Sequence, residues 1–230
     1  MQVSSRLSES DILSLKKGQY KMTLMFEEFD KICRKYNLKY WCIGGTLIGI
    51  LRKDKINEHN EQVGGWISHD ADIDISMLSE DYEIFKTKIN ELSKNIFVQD
   101  TKSDKKYHIK NMAKLRDINS HYLNYTPKNC HRGLQIDIFL WTINNDKLET
   151  TIGNQYRFDL YDTIFPLKEM YFEHILVFVP NNYQLYAQKK CGGWPIPYLP
   201  IEKRYPHEGL INPNSAHPLD LIMYPHLYQQ

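Results

Sequence analysis

Two short segments alternate isoleucine with aspartate, and that alternation constrains the fold more than any other feature of the chain. The first, Ala71 to Met77, reads Ala71-Asp72-Ile73-Asp74-Ile75-Ser76-Met77, and the second, Leu134 to Leu140, carries Ile136-Asp137-Ile138. A period of two is the period of a β-strand, whose successive side chains point to opposite faces. Both segments are therefore predicted to be strands, with Asp72 and Asp74 on one face of the first and Ile73 on the other. Two anions held side by side repel unless a cation intervenes. If the two strands pair, the carboxylate of Asp137 can join the first two. Three oxygen ligands with open positions suit Mg²⁺ or Mn²⁺, which take substrate phosphate oxygens as further ligands. Zinc is disfavoured, because no Cys or His is placed to help.

Apolar residues Ile12, Leu15, Met22, Met25, Phe26, Phe29 and Ile32 recur mostly three and four apart, which predicts an amphipathic helix from Ser10 to about Tyr36, stopped by Asn37. The aromatic, β-branched run Lys39 to Ile43 reads as a buried strand that ends at Gly44-Gly45. Thr46 to Leu51 then looks helical. Gly44, Gly45 and Thr46 thus form a glycine turn at a helix start, where free backbone N–H groups can bind a phosphate. The polar stretch Arg52 to Gly65 reads as a loop, and Ser79 opens a helix with Tyr82, Phe85, Ile89 and Leu92 on its buried side. A strand is expected near Tyr107 to Arg116, a helical region over roughly Ile152 to Phe165, a short strand from Ile175 to Val179 and a short helix from Tyr183 to Lys190. Arg52, Lys114 and Arg116 are the cations expected near a leaving phosphate, the last two sharing a strand face with Leu115 opposite.

Taken singly, each feature has a plainer reading: a chance pair of aspartates, an ordinary turn, a buried acid satisfied by an arginine, or solvated cations. Their order along the chain is what joins them: strand, glycine pair, helix, two-aspartate strand, then a third aspartate on a later strand.

Bulk properties narrow the class. With 230 residues, 42% hydrophobic and 13% aromatic, the chain has material for one core and no obvious place to cut it. One α+β domain over 1–230 is expected, with its core at about 20–200 and an irregular, packed-down tail at 201–230. The tail's His207, His217 and His226 read as surface or packing residues. A formal charge of +1 offers no polycation surface for a nucleic acid polymer or an anionic membrane. Cys33, Cys42, Cys130 and Cys191 are scattered and read as free thiols. No signal peptide is legible, and no stretch approaches the ~20 apolar residues of a membrane span, so the expected location is cytoplasmic.

The segment Gly44-Gly45-Thr46-Leu47-Ile48-Gly49-Ile50-Leu51-Arg52 resembles the GGTLLGAVR motif of the LicD and fukutin-related phosphotransferase family. Gly65 to Asp74 is similar to that family's following motif, GFIPWDDDID, and the likeness continues through Ser79 to Tyr82, Gln135 to Phe139, Phe165-Pro166-Leu167, Phe172-Glu173, Val179-Pro180 and Gly192-Gly193-Trp194. The resemblance implies a nucleotidyltransferase fold of the polymerase β type, a mixed β-sheet flanked by helices, and the use of Mg²⁺. It also implies transfer of a phosphorylated alcohol, such as phosphocholine or an alditol phosphate, from a CDP-linked donor to a glycan hydroxyl with release of CMP. Carried over by position, Asp72 and Asp74 match the metal-binding pair, Asp70 the first acid of the run, and Asp137 the later acid. Asp137 or Asp70 is the candidate proton acceptor. Ala71 replaces the family's middle aspartate, Ser68 and His69 replace its Pro and Trp, and the loop after Arg52 is longer. Two other readings stay open: nucleotidyl transfer with release of pyrophosphate, and a catalytically silent nucleotide-binding module.

Overall fold

The computed structural model describes residues 3–57, 59–123 and 130–229. A long helix, α1 (Glu9–Lys35), opens the fold with Ser8 and Asp11 forming a reciprocal capping box. It leads into β1 (Tyr40–Cys42), α2 (Gly44–Arg52) and a small hairpin of β2 (Lys55–Ile56) and β3 (Gln62–Val63). Next come β4 (Ile73–Leu78), α3 (Ser79–Lys86), β5 (Ile96–Gln99), β6 (Met112–Asp117), β7 (His121–Tyr122) and β8 (Gln135–Asn144). A second hairpin, β9 (Lys147–Ile152) and β10 (Gln155–Leu160), precedes α4 (Tyr161–Ile164), β11 (Lys168–Phe172), β12 (Ile175–Val179) and α5 (Tyr183–Lys190). The tail adds β13 (Ile211–Asn212) and α6 (Pro218–Met223).

The central sheet runs β1-β4-β8-β6-β5, with β9 and β10 extending from β8. It is mixed: β4 and β8 are parallel, while the β1–β4, β8–β6 and β6–β5 pairs are antiparallel. Parallel neighbours are normally covered on both faces, and Ile73, Ile75, Ile136 and Ile138 are accordingly buried. The buried stripe of α1 packs Phe26 and Phe29 against Tyr40 of β1, with Phe172 edge-on to Phe26. The result is the α+β, nucleotidyltransferase-like architecture that the sequence predicts.

Several boundaries differ from expectation. The supposed loop from Arg52 to Gly65 contains the β2–β3 hairpin, and the strand expected from Tyr107 starts only at Met112. Helix α3 stops at Lys86, leaving Ile89 exposed beyond it. The helical region expected over Ile152 to Phe165 is instead the end of the β9–β10 hairpin plus one helical turn. Ile152, Tyr156, Leu160 and Ile164 sit four apart, as on a helix face, but Tyr156 and Leu160 are exposed, so no core rewards that face. Gly153, with φ +59°, supplies the left-handed residue of the two-residue turn that pairs Ile152 with Gln155. The tail is more ordered than expected: β13 pairs with β7, and the fully buried Asp220 takes hydrogen bonds from the backbone N–H and Nη1 of Arg132.

Candidate metal and phosphate site

Parallel pairing of β4 with β8 places Asp74 directly opposite Asp137, and Asp72 lies one residue before β4 begins. Asp72, Asp74 and Asp137 each bring a carboxylate oxygen within 4.8 Å of the other two. The strand register thus brings together the three acids that the alternation singled out. On the other side of β8, Lys114 of β6 pairs with Asp137 in register and donates from Nζ to its Oδ1 at 2.6 Å. Asp72 and Asp137 are buried and Asp74 is half-buried, yet Oδ1 of Asp72 is sealed from solvent without a hydrogen-bond partner. An orphaned buried carboxylate oxygen is expensive, and a proton or a cation removes the cost.

The turn that leads into β4 is fastened from several directions. Gln19 of α1 donates from Nε2 to the carbonyls of Ile67 and Asp70, at 3.1 and 2.9 Å. Tyr122 donates its hydroxyl to the carbonyl of Ala71 at 2.6 Å, and Ala71 itself is fully buried in the core. Alanine at the family's middle acid position therefore fills an apolar niche. The glycine turn is held to the same strand: Ile43 N–H donates to the Asp74 carbonyl, and Asp74 N–H to Thr46 Oγ1. The Thr46 hydroxyl thus acts as a brace for β4. Gly44 sits at φ +53°, and a Cβ there would collide with Oδ2 of Asp74, while one on Gly45 would collide with Oδ2 of Asp70. The left-handed backbone favours glycine at Gly44, and at both positions a side chain would displace a carboxylate of the cluster. The first amides of α2, which have no partner within the helix, open beside those acids.

Electrostatics follow from crowding. Burial, with the charges of Asp137, Asp70 and Glu208 added, pushes Asp74 up to about 8 despite the counter-effect of Lys114. Burial and Glu208 push Asp70 up to about 7, with His207 opposing. Asp72 is driven well above the ordinary carboxylate range by burial, then by Asp74, Glu208 and Asp70. Without an ion, such a cluster keeps protons at neutral pH. Oxygen donors around an orphaned oxygen fit a hard divalent cation such as Mg²⁺ or Mn²⁺.

The other expected cations have contacts of their own. Arg116 is fully buried two residues along β6 from Lys114, with Nε donating to Gln99 Oε1 and Nη1 to the Gly133 carbonyl. Arg52 donates to the Pro197 carbonyl, and its guanidinium lies 4.2 Å from the Tyr198 ring centre. Arg52 is close enough to His69 that, with burial and Arg204, it helps push that imidazole down to about 4. Sequence reasoning missed the tail's contribution: Asp70, His207 and Glu208 form a second group whose ligand atoms lie within 4.8 Å of one another. No local pattern marks His207 and Glu208, which reach the site only through the tail's long-range path.

No curated protein sequence matches the chain. A family model described as LicD/FKTN/FKRP, nucleotidyltransferase domain, matches residues 37–182, a span that takes in the glycine turn, all three strand acids and the parallel pair that aligns them. Sequence motifs, sheet topology and acidic cluster agree with that match, and the chain belongs to the LicD/FKTN/FKRP family.

Proposed function

We propose that this chain is a divalent-metal-dependent phosphotransferase that moves a phosphorylated small alcohol, phosphocholine or an alditol phosphate, from a CDP-linked donor to a glycan hydroxyl. Family membership implies a transferase of phosphate-linked groups. The observation that carries the finer reading is the in-register alignment of Asp74 with Asp137, with the orphaned Asp72 oxygen beside them. Mg²⁺ or Mn²⁺ held by Asp72, Asp74 and Asp137 would neutralise phosphate charge and lower the pKa of the attacking hydroxyl.

In this reading the acceptor oxygen bonds to the phosphorus that carries the alcohol, the bridge to CMP breaks, and CMP leaves as the free nucleotide. Asp70 or Asp137 is assigned as the proton acceptor, through a carboxylate oxygen turned to the acceptor hydroxyl and not to the ion. Lys114 holds Asp137 in place and offsets part of the acidic field. The α2 amides at Gly44, Gly45 and Thr46 and the Arg52 side chain are assigned to donor phosphate, and Arg116 to bracing the sheet through Gln99 and Gly133. Residues 1–230 act as one domain, a view supported by the pairing of β13 with β7 and of Asp220 with Arg132. A mass-spectrometric donor screen tests the proposal. CDP-choline or a CDP-alditol should yield CMP and a modified glycan, whereas pyrophosphate release from CTP would replace this reaction with nucleotidyl transfer.

A further inference from the structure

We infer that the C-terminal tail completes a second divalent-cation site, formed by Asp70, His207 and Glu208, beside the centre of Asp72, Asp74 and Asp137. The three side chains supply two carboxylates and an imidazole, with ligand atoms within 4.8 Å of one another. Oxygen donors with one imidazole accept Mn²⁺ readily.

Glu208 is the residue that points to an ion. Its side chain is 4% exposed; Oε1 meets the His207 ring, while Oε2 is sealed from solvent with no hydrogen-bond partner. Asp70, also buried, lies close enough for the two carboxylates to repel. The exposed His207 is the one member of the group able to offset them. A bound cation takes over that task, and the imidazole loses its proton as it becomes a ligand.

The glycine turn places this group next to the first. Oδ2 of Asp74 lies against Gly44 and Oδ2 of Asp70 against Gly45. His207 and Glu208 lie beyond the span 37–182 that matches the family, so the second group joins Asp70 of the recognised domain to a segment outside it.

The inference rests on the proposed reading of the first centre for its neighbour, although its own ligands are separate. Ion counting distinguishes the two. The full chain is titrated with Mn²⁺, bound ions are counted from the loss of the free-ion paramagnetic resonance signal, and circular dichroism confirms that each variant is folded. Two ions are expected in the parent chain, with a dipolar-broadened spectrum, and one in Glu208→Gln and in Asp70→Asn, without broadening. His207→Gln, at an exposed position, should weaken the second ion about tenfold. A single ion in the parent chain, unchanged by these three substitutions but lost in Asp74→Asn, overturns the second site and leaves the first. A single ion lost in Glu208→Gln and kept in Asp74→Asn does the reverse, and no bound ion removes both.

Discussion

The protein buries aspartates in two ways. Asp117 is fully enclosed and partnered, receiving Lys21 Nζ at 2.9 Å and Asn95 Nδ2 at 2.8 Å, and Asp220 is enclosed with Arg132. Asp70, Asp72 and Asp74 are buried or half-buried among other acids, and Lys114 at their edge is bonded to Asp137. Asp100 makes the contrast explicit. Burial pushes its carboxyl up, but the Ser103 amide, the Tyr82 and Ser103 hydroxyls and the Lys102 amide more than reverse that, and its pKa ends below the ordinary value. At Asp74 the neighbouring charges add to burial. Burial alone therefore marks no function. A buried acid surrounded by acids stores repulsion that a divalent ion can relieve, whereas one surrounded by donors is part of the scaffold.

Substitutions that treat the two kinds alike give the sharpest tests. Asp72→Asn removes ligand charge with little change in packing, and CMP release should fall about 10³-fold or more, the scale of several kcal/mol of metal-borne charge stabilisation. Undiminished release from a folded Asp72→Asn protein would break the distinction at once. Asp220→Ala should instead lower stability by about 3–5 kcal/mol, read as a shift in the urea midpoint, because it strands Arg132. A loss under about 1 kcal/mol would place Asp220 outside the scaffold class.

The smallest effect concerns pH. Burial and neighbouring acids push Asp70 up to about 7 and Asp74 up to about 8, from 3.8 for an ordinary aspartate, so between about pH 4 and pH 8 the metal-free native cluster holds protons that the unfolded chain releases. Unfolding free energy of the metal-free protein must then decline as pH rises through that window. Asp74→Asn should soften the decline and raise metal-free stability at pH 8 by on the order of 1 kcal/mol, and Mn²⁺ should soften it in the parent chain. A flat metal-free profile would show that the acids do not share protons in this way.

The division also explains what was legible in the sequence. Asp72, Asp74 and Asp137 stood out because period-two alternation is local, and parallel pairing then aligned them as the reading required. The glycine turn was legible as a turn, but the approach of two carboxylates to it was not, since that contact depends on where β4 docks. Arg116 looked like a free cation because nothing local announces Gln99 or the Gly133 carbonyl as its partners. The β9–β10 hairpin was hidden by apolar residues spaced four apart, whose exposure only the fold reveals. Glu208 was invisible for the same reason: its neighbour Asp70 is distant in sequence, and nothing in the tail around Glu208 marks the contact.

An ion shared by β4 and β8, as proposed, would have a mechanical outcome. The cluster exists only once two distant stretches of chain have zipped side by side, so an ion bound there acts as a rivet across the middle of the sheet. An ion that favours the closed form at a hundred times its dissociation constant adds about 2.7 kcal/mol of resistance to unfolding. Ambient metal would then set how long the protein lasts as well as how fast it works.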